Sequence, residues 1–408
     1  MSFGIALSGL NAAQQDLDVT ANNIANVDTT GFKSSTTEFA DLFSSSQQGV
    51  SSTAVGNGTS VSEVSQQFTQ GNIDSTGNNL DLAISGNGFF TMSNNGALSY
   101  TRDGQFQEDA DGYVTDSEGN RLQVYPPLAN GGFNTGGLTS LNLTTNESAP
   151  QATTNVSLTA NLPADASVPV TGTFNPGDPT SYNDTTSLTT YDSLGAAHTS
   201  SLYFIKTATP NDWTVQLYTD GAAVGTPQAL DYSSSGALTT PAGGQITFPA
   251  YTPATGAAPM NLTFNFANTT QDGSTFAVTA NSQNGYTTGT LTGINIDSTG
   301  VVQARFTNGN SVNLGQIALA NFPNPQGLQQ LGNQSWAQTY ASGAPVSGTA
   351  GQAGLGSIQS GALEESNVDI TAQLVNMITA QRDFQANAQM VTTDDQITQT
   401  IIGIQTNG

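Results

Sequence analysis

The positions of proline constrain the fold of this 408-residue chain more than any other single feature. All 16 prolines lie between Pro126 and Pro345, so both ends lack the residue that most strongly breaks a helix. Over residues 3–24 and 370–404, apolar and small side chains recur at spacings of three, four or seven, as on one face of a helix. The sequence therefore predicts one amphipathic helix at each end, of about 25 and about 38 residues.

The two predicted helices have narrow apolar stripes. At 1.5 Å per residue they would be about 40 and 55 Å long, and such helices need partner helices to stay folded. Asn367 or Asp369 is expected to cap the second helix, because both side chains accept hydrogen bonds from free backbone N–H groups.

A narrow apolar stripe on a helix usually packs on the chain's own core. Here, however, both stripes are nearly free of charge and lie next to Gly- and Ser-rich segments. We therefore expect the helices to pack against copies of themselves. The candidate inter-subunit seam consists of Leu7, Leu10, Leu17, Ile24, Leu374, Met377, Phe384, Val391, Ile397 and Ile401.

Between the ends, short alternating runs are broken by Gly, Asn and Asp, which is typical of strands joined by tight turns. The predicted fold class is α+β: the terminal helices pair as a coiled-coil-like inner layer, and two mainly antiparallel β domains are nested between them. The chain would run from the helical layer outward to the outer β domain and then return through the same layers in reverse order, so each layer except the outermost contains two segments that are distant in sequence. The predicted layers are 1–30 with 366–408 (helical polymerisation domain), 31–70 with 345–365 (extended linkers), 71–145 with 285–344 (inner β domain) and 146–284 (outer β domain).

Charge and composition exclude several functions. Thirty acidic and six basic residues give a net charge of −24, which repels phosphate backbones and anionic lipid, so neither nucleic acid nor a membrane is an expected partner. The chain has no Cys and one His, which excludes disulfides and multi-histidine metal sites. A cleavable leader is not expected, because the first basic residue is Lys33. The composition favours an extracellular, β-rich product.

No pattern in the sequence predicts catalysis, a cofactor or a metal. Gly86-Asn87-Gly88 lacks the third Gly of a dinucleotide fingerprint and is expected to form a turn. The acidic stretch 108–112 does not have the EF-hand spacing, and it predicts hairpin turns instead. His198 is expected in a turn or on the surface. Carboxylate pairs of glycosidases meet only in space, so spacing leaves that alternative open.

Both ends resemble a known family. The segments SGLNAAQQ at 8–15 and ANNIANVDTTGFK at 21–33 are similar to the amino-terminal signature of bacterial flagellar rod and hook axial proteins. The segments LEESNVD at 363–369 and MITAQRDFQAN at 377–387 resemble their carboxy-terminal signature. Within this family the large central insertion favours a hook-type subunit over the shorter distal rod subunit.

The resemblance implies a structural subunit that self-assembles into a flexible helical tube, the joint that transmits torque from rod to filament. Such a subunit would be exported by the type III export gate without a cleaved signal peptide and would be extracellular. Its implied partners are copies of itself, the hook cap, the distal rod protein, the hook–filament junction protein and the hook-length ruler. Phe39 and Phe43 resemble a short export element of this family. The alternatives are the distal rod subunit, or a leaderless secreted β-rich adhesin or glycan-active enzyme.

Overall fold

The computed structural model describes residues 2–42, 56–144 and 147–406, with side chains from residue 3 to residue 402 within these ranges. The chain divides into two compact units. The first unit contains residues 1–144, 294–304 and 312–408, and the second contains residues 145–293 and 305–311. No helix of the described part is long and apolar enough to cross a membrane.

The first unit contains the two long helices that the periodicity predicts, α1 (Ser2–Ala25) and α2 (Ile370–Thr406). Two contacts show that they pair in antiparallel orientation. Near the start of α1, Gly9 lies against Asn387 of α2, and near the end of α1, Asn23 Nδ2 donates to Oε1 of Gln373, close to the start of α2, over 3.4 Å. Asp369 is the cap of α2, since its Oδ1 accepts hydrogen bonds from the first free N–H groups of the helix. The paired helices predicted from the sequence are therefore confirmed.

The strands of the first unit are mostly short and antiparallel. A hairpin follows α1, and a larger sheet packs over a core that contains Phe90, Leu122 and Ile317. These strands are Ser35–Asp41, Thr59–Gln66, Ile73–Ser75, Leu82–Ser85, Phe89–Asn94, Ala97–Thr101, Gln107–Glu108, Val114–Thr115, Arg121–Tyr125, Thr139–Ser140, Leu319–Asn321, Gln329–Gly332, Ser335–Ala337, Val346–Gly348, Ser357–Ser360 and Ala362–Glu364, with a 3₁₀ turn at Pro325–Gly327. Three further strands, Gly289–Ile296, Val301–Phe306 and Ser311–Ile317, contain residues of both units.

Paired strands occupy parts of both segments that the sequence predicts as extended linkers. Within the first segment, Ser35–Asp41 pairs with Thr59–Gln66, and Ala362–Glu364 of the second segment pairs with Ile73–Ser75, just beyond the first segment. Backbone N–H and C=O groups that lie close to packed helices need partners, and these strand pairings supply them. These segments are therefore more ordered than their Ser- and Gly-rich composition indicates.

The second unit contains two five-stranded sheets around a core that includes Trp213, Phe204 and Phe264. Inward and outward side chains alternate along Asn155–Pro163 and Ala197–Lys206, as the sequence predicts. Asn155–Pro163 also makes two parallel pairings, which the expectation of antiparallel sheets did not include. The strands are Glu147–Ser148, Asn155–Pro163, Asp184–Tyr191, Ala197–Lys206, Asp212–Thr219, Ala222–Tyr232, Leu238–Thr240, Gln245–Thr247, Thr263–Asn265, Thr270–Asp272 and Ala277–Gln283, with a 3₁₀ turn at Ala242–Gly244.

Candidate polymerisation surface

Small side chains line the contact between α1 and α2. Ala6 and Ala13 of α1 and Ala380 of α2 are all buried, and α1 adds the buried polar residue Thr20. A Cβ on Gly9 would lie 2.6 Å from Oδ1 of Asn387, so the Asn387 side chain packs directly on the α1 backbone at this point. The antiparallel pair is therefore held by close packing of small groups, and most of the large apolar side chains lie outside this contact.

The predicted seam residues fall into two groups. Leu7, Leu374, Ile397 and Ile401 are exposed, with 42 to 53% of their surface accessible to solvent. The other six are half-buried, and these are Leu10, Leu17, Ile24, Met377, Phe384 and Val391. The structure thus places all ten residues on one helix pair and leaves four of them largely uncovered within the chain.

Sequence reasoning missed four exposed apolar residues of α2. Val375, Ile378, Met390 and Ile402 are each more than half exposed, although none belongs to the predicted stripe. The prediction followed a single stripe along α2 and left these residues out, although Ile378 lies four residues after Leu374 and Met390 lies seven residues before Ile397. A count of apolar residues around the whole circumference of α2 would have found them, because a helix that is apolar on several faces needs several partners.

The exposed apolar surface of the helix pair has an energetic consequence. Burying an exposed Leu, Ile or Met side chain completely contributes about 1.5–3 kcal/mol, and at half exposure about half of that is still to be gained. Several of these side chains are four residues apart and so neighbours on α2, such as Leu374 with Ile378 and Ile397 with Ile401, and grouped exposed apolar residues mark interaction sites. The terminal helices are therefore the candidate surface for association between subunits.

A buried ion-pair cluster lies where the chain enters and leaves the helices, and we call Lys33, Arg102 and Glu364 the clamp. Lys33 Nζ lies 2.6 Å from Glu364 Oε1, and Arg102 Nη1 lies 3.0 Å from Glu364 Oε2. Lys33 Nζ also donates to the Thr69 carbonyl over 2.8 Å, and the Gly71 N–H donates to Glu364 Oε1 over 2.9 Å. Burial lowers the pKa of Lys33 and of Arg102, and the Glu364 carboxylate opposes this effect on both pKa values.

The clamp joins three distant parts of the first unit. Glu364 ends the strand Ala362–Glu364, Lys33 follows α1, and Arg102 comes directly after the strand Ala97–Thr101. Sequence reasoning did not identify these residues as a group. The scarcity of basic residues was the available signal, because two of only six lie here.

The candidate export element is described only in part. Phe39 lies on the strand Ser35–Asp41, is 49% exposed, and lines a groove of about 260 Å³ together with α1 and α2. Phe43 lies outside the described residues. The half-exposed ring of Phe39 is compatible both with a recognition element and with a packing contact on the helices.

The segments considered for chemistry form structural turns. Gly86 and Gly88 have φ values of 115° and 122°, which a tight turn between two strands requires and only Gly adopts readily. The acidic stretch forms a hairpin turn in which Asp109 Oδ1 accepts the N–H groups of Asp111 and Tyr113. Among the described residues, no group of three or more His, Cys, Asp or Glu side chains is arranged to hold a metal ion.

The expectation for His198 was wrong. This residue is 6% exposed, and its ring nitrogens contact the carboxylates of Asp192 and Asp220. It is the second residue of a strand whose alternate side chains point inward, so strand parity places the imidazole inside.

Comparison with known protein families gives four matches along the chain. The matching models are described as Flagella basal body rod protein (residues 3–33), Flagellar hook protein FlgE/F/G D1 domain (83–166), Flagellar basal body protein FlaE D2 domain (161–286) and Flagellar basal body rod FlgEFG protein C-terminal (359–404). The two rod-protein models lie within the first unit and include most of both helices, the D1 model spans parts of both units, and the D2 model lies within the second.

Individual proteins match over almost the full length. The chain is 40% identical to the flagellar hook protein FlgE of Salmonella typhimurium, over 99% of this chain and 100% of that protein. It is 38% identical to FlgE of Escherichia coli over the same shares, and 34% identical to FlgE of Borreliella burgdorferi over 97% of each chain. The crystal structure of Helicobacter pylori flagellar hook protein FlgE2 has a TM-score of 0.52 at 14% identity, covers 70% of this chain and 99% of its own, and thus supports the fold.

Proposed function

The chain belongs to the flagellar hook protein FlgE family, and on that premise we propose that it is a structural subunit of the bacterial flagellar hook. Many copies self-assemble into the flexible helical tube that transmits torque from rod to filament. The observation that carries this function is the exposed apolar surface of α1 and α2, which stays uncovered within the chain. The full-length matches to hook proteins favour the hook over the distal rod subunit, the adhesin and the glycan-active enzyme.

The helix pair is the polymerisation element of this proposal. The exposed residues of α1 differ from those of α2, so contacts between copies would join two different surfaces. Such a head-to-tail contact builds an open helical assembly when its rotation does not close. The seam comprises the ten predicted residues, extended by Val375, Ile378, Met390 and Ile402.

The nested layers follow from the same proposal. Residues 1–30 with 366–408 form the polymerisation layer, 31–70 with 345–365 its connection, 71–145 with 285–344 the inner β domain and 146–284 the outer β domain. Weakly charged outer surfaces can shift against one another, since few ion pairs fix one register. This property suits a tube that bends while it rotates.

The proposed location is the extracellular hook of the flagellum. The partners would be the distal rod protein, the cap, the junction protein, the length ruler and the type III export gate, which exports the chain. The family consists of structural proteins, and we assign no catalytic residue, metal or cofactor.

Electron microscopy of the purified full-length chain under assembly conditions tests the proposal. We expect curved or flexible tubes from the full chain, and none from a variant that lacks residues 366–408. Circular dichroism of the truncated variant should retain the β signal. Straight, rigid tubes would favour the distal rod alternative, and tubes formed without α2 would contradict the role of the helices.

A further inference from the structure

His198 is the only histidine of the chain and lies between two carboxylates of the second unit. Its Nε2 is 3.1 Å from Oδ2 of Asp192, and its Nδ1 is 2.5 Å from Oδ2 of Asp220. The Tyr251 ring packs edge-on against the imidazole at 6.0 Å, and its hydroxyl donates to the same Asp220 oxygen over 3.2 Å. The titratable groups that face His198 are therefore Asp192, Asp220 and Tyr251.

Hydrogen bonding keeps both carboxylates ionised. Asp192 is fully buried and accepts four hydrogen bonds: from the N–H groups of Leu194 and Ala196, the Thr255 hydroxyl and His198. Burial raises the pKa of Asp192, but these hydrogen bonds outweigh burial and lower the pKa to about 2. Burial also raises the pKa of Asp220, and its hydrogen bond to His198 outweighs this effect and lowers that pKa.

Two ionised carboxylates require two donors from one imidazole ring. A neutral imidazole carries one N–H, whereas the imidazolium carries two. The observed contacts are therefore those of protonated His198. Burial of the ring lowers its pKa, but the hydrogen bonds and charges of Asp220 and Asp192 outweigh burial, so the pKa is raised above 6.5.

The imidazolium joins three segments that adjoin in space but not in sequence. Asp192 begins the turn 192–196, and Asp220 lies in the turn between Asp212–Thr219 and Ala222–Tyr232. The third segment is the loop 251–260, whose ends are tied by the two hydrogen bonds between Tyr251 and Met260. This loop reaches the other two segments through Tyr251 to Asp220 and Thr255 to Asp192.

We propose that His198, Asp192 and Asp220 form a pH-sensitive latch that fastens loop 251–260 when His198 is protonated and loosens it when His198 is neutral. The contact with Asp220 opens first, because 39% of that side chain is already exposed and water can replace the lost donor, whereas Asp192 has no exposure. Loss of this contact also moves the Asp220 carboxylate oxygen that accepts the hydrogen bond of the Tyr251 hydroxyl. The latch is a property of the second unit and does not depend on how the subunits assemble.

The sign of the pH effect follows from linkage. A histidine whose pKa is raised on folding stabilises the folded state fully below the unfolded pKa of about 6.5. This stabilisation is lost as the pH rises through the folded pKa. The latch is therefore closed on the acid side of that value and opens on the alkaline side. The closed-to-open ratio changes about tenfold for each unit by which the pKa of His198 in the closed latch exceeds its pKa in the open latch.

Nuclear magnetic resonance of the full-length monomer with isotope-labelled histidine tests the proposal directly, since the chain contributes a single imidazole signal. We expect this imidazole to titrate above 6.5, with protons on both nitrogens on the acid side. Hydrogen exchange, corrected for the intrinsic pH dependence, should show a loss of protection at Met260 across the same pH interval. Tyr218, paired within the sheet, provides the internal reference.

Two variants separate the latch from a general loss of stability. His198→Gln keeps a hydrogen-bonding side chain but has no charge, so protection of loop 251–260 should no longer change with pH. Asp178→Asn alters an acidic residue of the same unit that contacts only Thr180 and its own loop, and should leave the transition unchanged. An imidazole that titrates at or below 6.5, or loop protection that stays constant while the imidazole titrates, would overturn the proposal.

Discussion

Lys33 and Glu364 form a buried ion pair of 2.6 Å between residues that lie 331 positions apart. Lys33 follows the amino-terminal helix and Glu364 precedes the carboxy-terminal one, so their contact fixes where both helices leave the β structure. Arg102 shares the same carboxylate. The position of the helix pair on the first unit therefore depends on one fully buried acidic residue.

Glu364→Gln should destabilise the first unit strongly. The change leaves two buried cations without their counter-charge, and breaking a buried pair in this way costs about 3–5 kcal/mol. Hydrogen exchange of first-unit amides in increasing urea measures the loss. Glu365→Gln is the matched control, because that side chain is exposed and its removal should change the free energy of unfolding by less than about 0.5 kcal/mol. Equal stability of the two variants would contradict the clamp.

The double variant Ile397→Asn and Ile401→Asn should assemble poorly while the monomer stays folded. Both side chains are 53% exposed in the monomer, so the change removes apolar surface that only a neighbouring copy would bury. Sedimentation and electron microscopy measure assembly, and circular dichroism measures folding. Val346→Asn, at an equally accessible apolar residue outside the helices, is expected to assemble normally. Normal tubes from the double variant would remove these residues from the seam.

Gly71→Ala should destabilise the first unit by about 1–3 kcal/mol, as expected for overpacking. A Cβ at this position would overlap the Glu365 carbonyl oxygen, and the Gly71 N–H holds Glu364 Oε1, so neither side can move freely. Thermal unfolding of the purified chain measures the effect. Gly137→Ala introduces the same methyl group into open space and should leave the transition temperature unchanged. A similar transition temperature for both variants would show that the close contact between Gly71 and the Glu365 carbonyl oxygen does not contribute to stability.

Asp103→Asn should stabilise the first unit above pH 6 and leave its stability unchanged below about pH 3.8. Burial raises the pKa of Asp103 to about 6, the Gln105 N–H opposes this, and the charges of Asp116 and Asp81 add to it. Ionisation of Asp103 therefore opposes folding, and the wild-type chain gains stability as the pH falls from 6 to 3.8.

Urea unfolding of the Asp103→Asn variant and the wild-type chain at pH 7.5 and pH 3.5 checks this prediction. Asn keeps the Oδ1 acceptor for the Gln105 N–H, so the change removes the charge while the turn retains its hydrogen bond. A stability difference of the same size at both pH values would show that the effect does not arise from the charge of Asp103.

Local patterns predicted much of this structure correctly. The period of the apolar residues located α1 and α2, and Asp369 caps α2 as its residue type allows. The Gly-rich turn at 86–88 and the alternation along Asn155–Pro163 were also predicted from neighbouring residues. In each case the deciding interactions lie within a few positions, so the sequence displays them directly.

Long-range contacts escaped prediction for the opposite reason. The strands Ile73–Ser75 and Ala362–Glu364 pair with each other although residues 76–361 separate them. His198 looked like a turn residue because its two acidic partners are separated from it in sequence, one by six and one by 22 positions. Val375 and Ile378 were missed because the spacing rule describes one helix face only.

The sequence by itself determined the two terminal helices, the β-rich middle and the apolar surface that the helices present, because these depend on the order and spacing of residues along the chain. Only the tertiary structure decided which charged groups are buried together. A buried carboxyl group such as that of Glu364 or Asp192 finds hydrogen-bond partners without water only where donors from distant segments converge on it. The clamp and the histidine latch are products of that convergence, and no local pattern encodes it.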